Sequence, residues 1–357
     1  MKFGTLLARE KAITPEQLEE ALKNQVVYGG RLGTILLTLG HIDIETHKRL
    51  LSRHFGVPCA SQSDIENAPR DVIERIPSDL VQKHGVHPIK IEGRRLHLAM
   101  SDPRNISVLD EISFLTGLMI VPYAVPEIVL AYYLERNYGI PRREYHARLS
   151  ELERLAIFGG RSPDRSRPDG TPARPVPESR LKAAEPPLVI PTGPLPLENA
   201  IEQMDAAPDR TKIGLTILQF ARQYLSTAAL FLVKTDEAIG WVGVSADGPL
   251  AAIGETILPL DGPSVLKTVK ESGAIYFGPV ASEPLNEALL RALGRERPAT
   301  ALVLPVQVRR RVVNLFYGEA GRSEIDPTLP ARLSRLLAAA GSAYERLIVE
   351  SKKKMEL

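Results

Sequence analysis

The chain has 357 residues, 44% hydrophobic and 25% charged, which suits folded globular domains and is long enough for two or three of them. Its 45 Lys and Arg against 43 Asp and Glu leave a formal charge of +2. No global field therefore favours DNA or anionic lipid, and any phosphate site must be local. The single cysteine, Cys59, excludes an intramolecular disulfide and a multi-cysteine zinc centre. No stretch approaches the roughly 20 apolar residues of a membrane span, and the N-terminus lacks the apolar core of a signal peptide. A cytoplasmic chain without membrane insertion is expected.

In chain order, Thr14-Pro15-Glu16-Gln17 combines an N-cap, a first-turn proline and a capping-box glutamine, which predicts a helix over 15–27. Gly29-Gly30 ends it, and 32–39 and 44–55 read as further helices. Residues 71–76 and 78–83 read as helical. Residues 88–91 and 95–100 read as strands joined by the turn Glu92-Gly93-Arg94. A helix over 108–116, a strand over 119–123 and a closing helix over 126–138 follow. Residues 141–205 are proline-studded and nearly free of apolar periodicity, so they read as a flexible linker, with a short helix expected over 145–158. Beyond it come a helix over 212–225, strands over 229–233 and 238–244, and helices near 264–272 and 285–293. Strands over 301–308 and 312–317 flank the turn Arg309-Arg310, and a helix over 327–352 closes the chain. The expected class is multidomain α+β: a helical subdomain at 1–60, a small α/β subdomain at 61–140, the linker at 141–205, and an antiparallel sheet flanked by helices at 206–357.

An internal repeat carries the chemistry. Residues 2–25 align with 31–54, each 24 residues long, with five residues between them. Phe3-Gly4-Thr5-Leu6-Leu7 falls on Leu32-Gly33-Thr34-Ile35-Leu36, Ile13 on Ile42, Leu22 on Leu51 and Gln25 on His54. Each copy opens with a cation, Lys2 or Arg31, at a helix start, where a phosphate is favoured; the flat guanidinium of Arg31 can also stack on a purine. Gln25 can both donate to and accept from a base edge. Leucines around a turn form an apolar wall, and a doubled unit suits a ligand that is itself pseudo-symmetric. The alternative is that the same repeats serve only as a helical docking module.

At these residues the chain resembles the MshEN domain at the N-termini of type II secretion and type IV pilus assembly ATPases, the GspE-type N-terminal region. In that family the tandem 24-residue motifs, five residues apart, bind cyclic di-GMP. The resemblance implies a ligand site at Lys2, Phe3, Gly4, Leu7, Gln25, Arg31, Leu32, Gly33, Leu36, Gly40 and His54. The departures are Lys2 for the opening arginine, Lys11 where glycine is expected, His54 for the closing glutamine and His47 at an apolar position. Lysine lacks a stacking face, and histidine presents a different hydrogen-bond pattern. The likeness runs on through Val86-His87-Pro88-Ile89, Leu98 to Pro103, and Phe114-Leu115-Thr116-Gly117-Leu118, to about residue 140. Asp102 can cap the turn it begins, and in the family a carboxylate near here can complete the nucleotide pocket.

The motor of such ATPases carries a phosphate loop ending in Gly-Lys, and this sequence contains no Gly-Lys dipeptide. Glu20-Ala21-Leu22 and Glu287-Ala288-Leu289 match a phosphodiesterase tripeptide only superficially and read as ordinary helix. The last of the seven histidines is His146, so residues 206–357 hold no Ser–His or Cys–His pair. Their element order resembles a GAF-type sensory domain. A pocket near Trp241, Tyr276 and Phe277 is one reading of its aromatics, and core or dimer packing is the other. Arg309-Arg310-Arg311 reads as a solvated hairpin tip. The apolar stripe Leu333, Leu336, Leu337, Ala340 and Leu347 suits a homodimer through the C-terminal domain. The expectation is a non-enzymatic effector or adaptor, without cofactor, that takes cyclic di-GMP as regulatory ligand and serves a protein partner in a pilus, secretion or motility machine. The rival expectations are a constitutive protein–protein scaffold with a degenerate nucleotide site, and a GAF-type sensor of another small molecule.

Overall fold

A computed structural model describes residues 2–140, 189–250 and 252–356, so the helix expected over 145–158 lies outside the described residues. The chain divides into two compact units, one formed mostly by the residues before the linker and the other mostly by 189–353.

The first unit opens with four helices, α1 (Phe3–Arg9), α2 (Pro15–Tyr28), α3 (Leu32–Thr38) and α4 (Ile44–Phe55). Local chemistry sets their starts. The Thr14 hydroxyl accepts from the Gln17 amide while the Gln17 side chain accepts from the Thr14 amide at 2.8 Å, which closes the expected capping box. Asp43 caps α4 by accepting from the Thr46 amide at 2.7 Å, and this bond holds its carboxyl below the usual pKa. Short helices α5 (Gln62–Glu66), α6 (Arg70–Ile73) and α7 (Ser78–His84) lead to β1 (Val86–Glu92) and β2 (Arg95–Met100), an antiparallel hairpin. Helix α5, absent from the expectation, is started by Ser61 and Asp64 in a capping box. Helix α8 (Ile106–Thr116) crosses over to β3 (Met119–Ala124), which pairs parallel with β2 from Arg95↔Met119 to Met100↔Ala124. Helix α9 (Glu127–Tyr138) closes the unit. One continuous core joins Leu7, Ile35, Leu36 and Leu50 of the helices to Leu96, Leu98, Ile112 and Tyr133 of the α/β part. The helical and α/β parts thus share one core.

In the second unit the expected linker ends early. Residues 197–205, assigned to the linker at 141–205, form α10 (Leu197–Asp205), and Ile190 and Leu195 ahead of it are buried. Pro196 sits at the N-cap, where a proline starts a helix rather than preventing one, and Ala200 and Met204, one turn apart, are buried in the core. Helix α11 (Arg210–Ala221) precedes β4 (Thr227–Lys234) and β5 (Glu237–Ser245). Two short strands, β6 (Gly248–Pro249) and β7 (Ile257–Pro259), both pair with β5. Then come α12 (Val265–Ser272), β8 (Tyr276–Gly278), α13 (Pro284–Ala292), β9 (Ala301–Val308), β10 (Arg311–Glu319) and α14 (Leu329–Glu356). The sheet order is β6-β5-β4-β10-β9-β8, antiparallel throughout.

Both faces of this sheet are covered, so its strands read as unbroken apolar runs. Leu230 and Leu232 of β4 pack on the face of α11 and α14, while Ala229, Phe231 and Val233 pack on the face of α12 and α13. Gly341 lets α14 lie close on β9, since a Cβ there would fall 2.3 Å from the Gln307 carbonyl oxygen. Arg309 and Arg310 form the hairpin tip in left-handed conformation, at φ 49° and 67°. Trp241, Tyr276 and Phe277 do not come together around one pocket. Trp241 lies on β5, in contact with Gly214 of α11 and beneath the Arg210 guanidinium; Tyr276 and Phe277 lie on edge strand β8, four strand spacings or roughly 19 Å away. The core reading of Trp241 therefore holds.

Candidate functional site

The tandem motifs fold as two copies of one backbone. Each begins with a seven-residue helix, α1 or α3, after a cation in extended conformation, Lys2 (φ −73°, ψ 151°) or Arg31 (φ −87°, ψ 143°). Each helix then ends in a left-handed turn. Gly40 adopts φ 70° and Lys11, at the equivalent place, φ 53°. The amides of Lys11 and Gly40 donate to Ala8 and Leu37 at 3.0 Å, and those of Ala12 and His41 donate to Leu7 and Leu36. Lysine has thus entered a glycine position without altering the turn, at a steric cost of about 1 kcal/mol. Ile13 and Ile42 are buried after the turns, and Thr14 and Asp43 cap the next helices. With only seven residues, α1 and α3 have little macrodipole, so a phosphate here must be held by the side-chain cations.

The sequence-derived site residues divide into three sets. Leu7, Leu32, Gly33 and Leu36 are buried, as is Gly4, and the three leucines belong to the core of the first unit. Gly40 borders an open cavity of about 580 Å³ lined also by Lys11, His41, Asp43 and Arg49. Of the remaining residues, Arg31 and Asp102 meet at the loop after β2. The Arg31 guanidinium donates to the Ser101 carbonyl at 2.9 Å, with the Glu127 carboxylate 3.9 Å from its Nε. One residue on, the Asp102 carboxylate accepts from the Arg104 amide at 3.2 Å and from its Nε at 3.3 Å, so Asp102 caps its own turn. Gln25 donates to the Gly30 carbonyl at 3.0 Å, across the five-residue spacer.

An aromatic ladder connects the first motif with the end of the second. Phe3, next to the exposed Lys2, lies 5.7 Å from the His47 ring and 5.5 Å from the His54 ring, and His54 lies 4.8 Å from Phe55. The Arg104 guanidinium then covers Phe55, 4.8 Å from the ring centroid. Burial lowers the pKa of His54, the nearby Arg104 lowers it further, and Asp102 opposes them. His47, the histidine at an apolar position, is 3% exposed and its Nδ1 has no hydrogen-bond partner, so burial holds its pKa at about 4. It occupies the space above Gly33, where a Cβ would come 2.1 Å from Nε2. Ser101, Phe55, Arg104 and Glu127 were not marked by the repeat. They lie at or beyond its end, and only the tertiary fold carries them to it.

Of the tripeptide glutamates, Glu20 pairs with His41 at 2.8 Å and Glu287 with Arg297. Among the described residues no group of three or more His, Cys, Asp or Glu is placed to hold a metal ion, and no helix is long and apolar enough to cross a membrane.

Residues 55–144 match the MshEN domain family, starting one residue after the second tandem motif and covering the α/β part of the first unit. Over 138 residues the chain is 36% identical to the type IV pilus assembly ATPase PilB of Myxococcus xanthus (strain DK1622), covering 39% of this chain and 24% of PilB. The chain thus spans about a quarter of that relative's length. MshE, solved with cdg, is similar over 38% of this chain and 98% of its own, at 25% identity and a TM-score of 0.33. The GAF domain of a phosphoenolpyruvate-protein phosphotransferase from Coxiella burnetii is similar over 45% of this chain and 95% of its own, at 14% identity and a TM-score of 0.35.

Proposed function

We propose that this chain is a non-enzymatic cyclic di-GMP effector or adaptor that couples nucleotide level to a pilus, secretion or motility assembly. One observation carries the reading: two copies of one turn-and-helix backbone present Arg31 and the Phe3–His54 stack toward a single loop, Ser101 to Arg104. A flat cation, a stacked aromatic edge and a carboxylate are the groups that a guanine nucleotide with a phosphate needs. The identity with the pilus ATPase PilB supports a partner of that class. One Arg31 N–H is held by the Ser101 carbonyl, and the guanidinium lies near Glu127. A phosphate that draws Arg31 away would loosen the tie between the helical motifs and the α/β part. Such coupling requires that the ligand bind the two arrangements unequally.

Calorimetric titration of cyclic di-GMP into the full chain tests this, alongside Arg31→Ala. Saturable binding that is lost in the variant is expected, with no ATP turnover by the pure protein. Absence of binding by folded protein would turn the reading to a constitutive scaffold, which the Arg31–Ser101 bond favours, because there Arg31 simply fastens the two parts together.

A further inference from the structure

The two motifs differ in what they offer a planar ligand. The second opens with Arg31, a guanidinium that can lie flat on a purine; the first opens with Lys2, a point charge with no flat face. A pseudo-symmetric ligand with two bases would therefore find one stacking platform where it needs two. The missing surface is present nearby, on another element. The Arg104 guanidinium rests on Phe55 at 4.8 Å from the centroid, and Phe55 continues through His54 to Phe3, the neighbour of Lys2. Asp102 accepts from both the backbone amide and Nε of Arg104, which fixes the plane of the guanidinium. The Arg104 side chain nevertheless stays 60% exposed. One face of the guanidinium is thus covered by an aromatic ring and its orientation is set, while most of the side chain remains open to solvent.

Building on the cyclic di-GMP reading, we infer that Arg104 takes over the stacking role that Lys2 cannot fill and forms the second purine platform of the ligand site. A base on the open face would complete a sandwich of Phe55, guanidinium and purine, with Asp102 positioned beside it as an acceptor for a base-edge N–H. The remaining charge of Lys2 then serves the phosphate, for which a point charge suffices. The same arrangement accounts for His54 in place of glutamine: beside Arg104 the imidazole is a link in the stack rather than a reader of the base edge.

The test titrates cyclic di-GMP into the intact chain and into Arg104→Ala, Arg104→Lys and Lys2→Arg/Arg104→Ala, with thermal melts to check folding. The inference expects wild type to bind, Arg104→Ala and Arg104→Lys both to weaken binding roughly tenfold, and Lys2→Arg to recover most of the loss. If wild type binds and both Arg104 variants stay within twofold of it, the platform is refuted while the effector reading stands. If Arg104→Lys binds like wild type and only Arg104→Ala is weak, charge rather than the flat face is at work and the stacking role is refuted. If folded wild type does not bind at all, the effector reading falls, and this inference with it.

Discussion

The two units bury their cores in different chemical company. The histidines buried in the first unit include His47, with an unpartnered Nδ1, and His87, whose ring nitrogens meet the Pro88 carbonyl at 2.7 Å and the Asn137 side chain at 2.8 Å. Burial holds both near a pKa of about 4. The second unit contains no histidine and covers both faces of its sheet with helices. The difference teaches that the unit carrying the candidate site keeps imidazoles inside at a cost in acid stability, while the other, whose buried polar side chains include Glu319 and Asn314, buries no imidazole.

Acid should separate the two units most strongly. A histidine that is neutral when folded and titrates near 6.5 when unfolded leaves the unfolded chain binding more protons between those values. Stability is then fully present above about 6.5 and is lost as pH falls toward 4, by roughly 3 kcal/mol for each buried ring. Calorimetric melts from pH 7.5 to 4.5 should show the transition of the first unit moving down while that of the second stays in place. A joint shift of both would break the contrast.

A smaller effect tests one of the two rings directly. The first motif has Leu18 where the second has His47. His47→Leu removes an unpartnered buried nitrogen, so it should raise the stability of the first unit by about 1–2 kcal/mol and flatten its acid dependence. Unchanged acid dependence would assign the whole effect to His87.

The second unit has its own exception. Asn314 of β10 is 1% exposed, and neither its amide nitrogen nor its oxygen has a hydrogen-bond partner. Asn314→Leu should stabilise this unit by about 1 kcal/mol in urea unfolding. A loss would mean that the amide contributes to the unit in a way an apolar side chain cannot. The smallest effect belongs to the first turn. Lys11→Gly relieves the left-handed lysine and should raise the melting temperature of the first unit by an amount equivalent to about 0.5–1 kcal/mol, whereas Gly40→Lys should lower it.

Much of the architecture was legible where local rules act alone. The capping box at Thr14, the hairpin at Gly93 and the continuous apolar runs near 230 and 304 each depend on residues within a few positions, and the observed elements follow them closely. The linker boundary is hidden in the sequence by prolines at 191, 194 and 196, because the Ala200 and Met204 spacing is a stripe that acquires meaning only against α11. Whether Trp241 and Tyr276 share a pocket is decided by strand order, which puts them on β5 and β8.

By itself the sequence determined the repeat: its 24-residue units, the five-residue spacer, the cation at each start and the caps at Thr14 and Asp43, all features of short range. Only the tertiary structure decided which groups meet at that repeat. Arg31 reaches Ser101 across 70 positions, and Phe55 comes beneath Arg104, because one continuous core presses the helices against the sheet whose β2 ends in that loop. No spacing rule encodes such a meeting, since it depends on how apolar surfaces far apart in the chain are buried together.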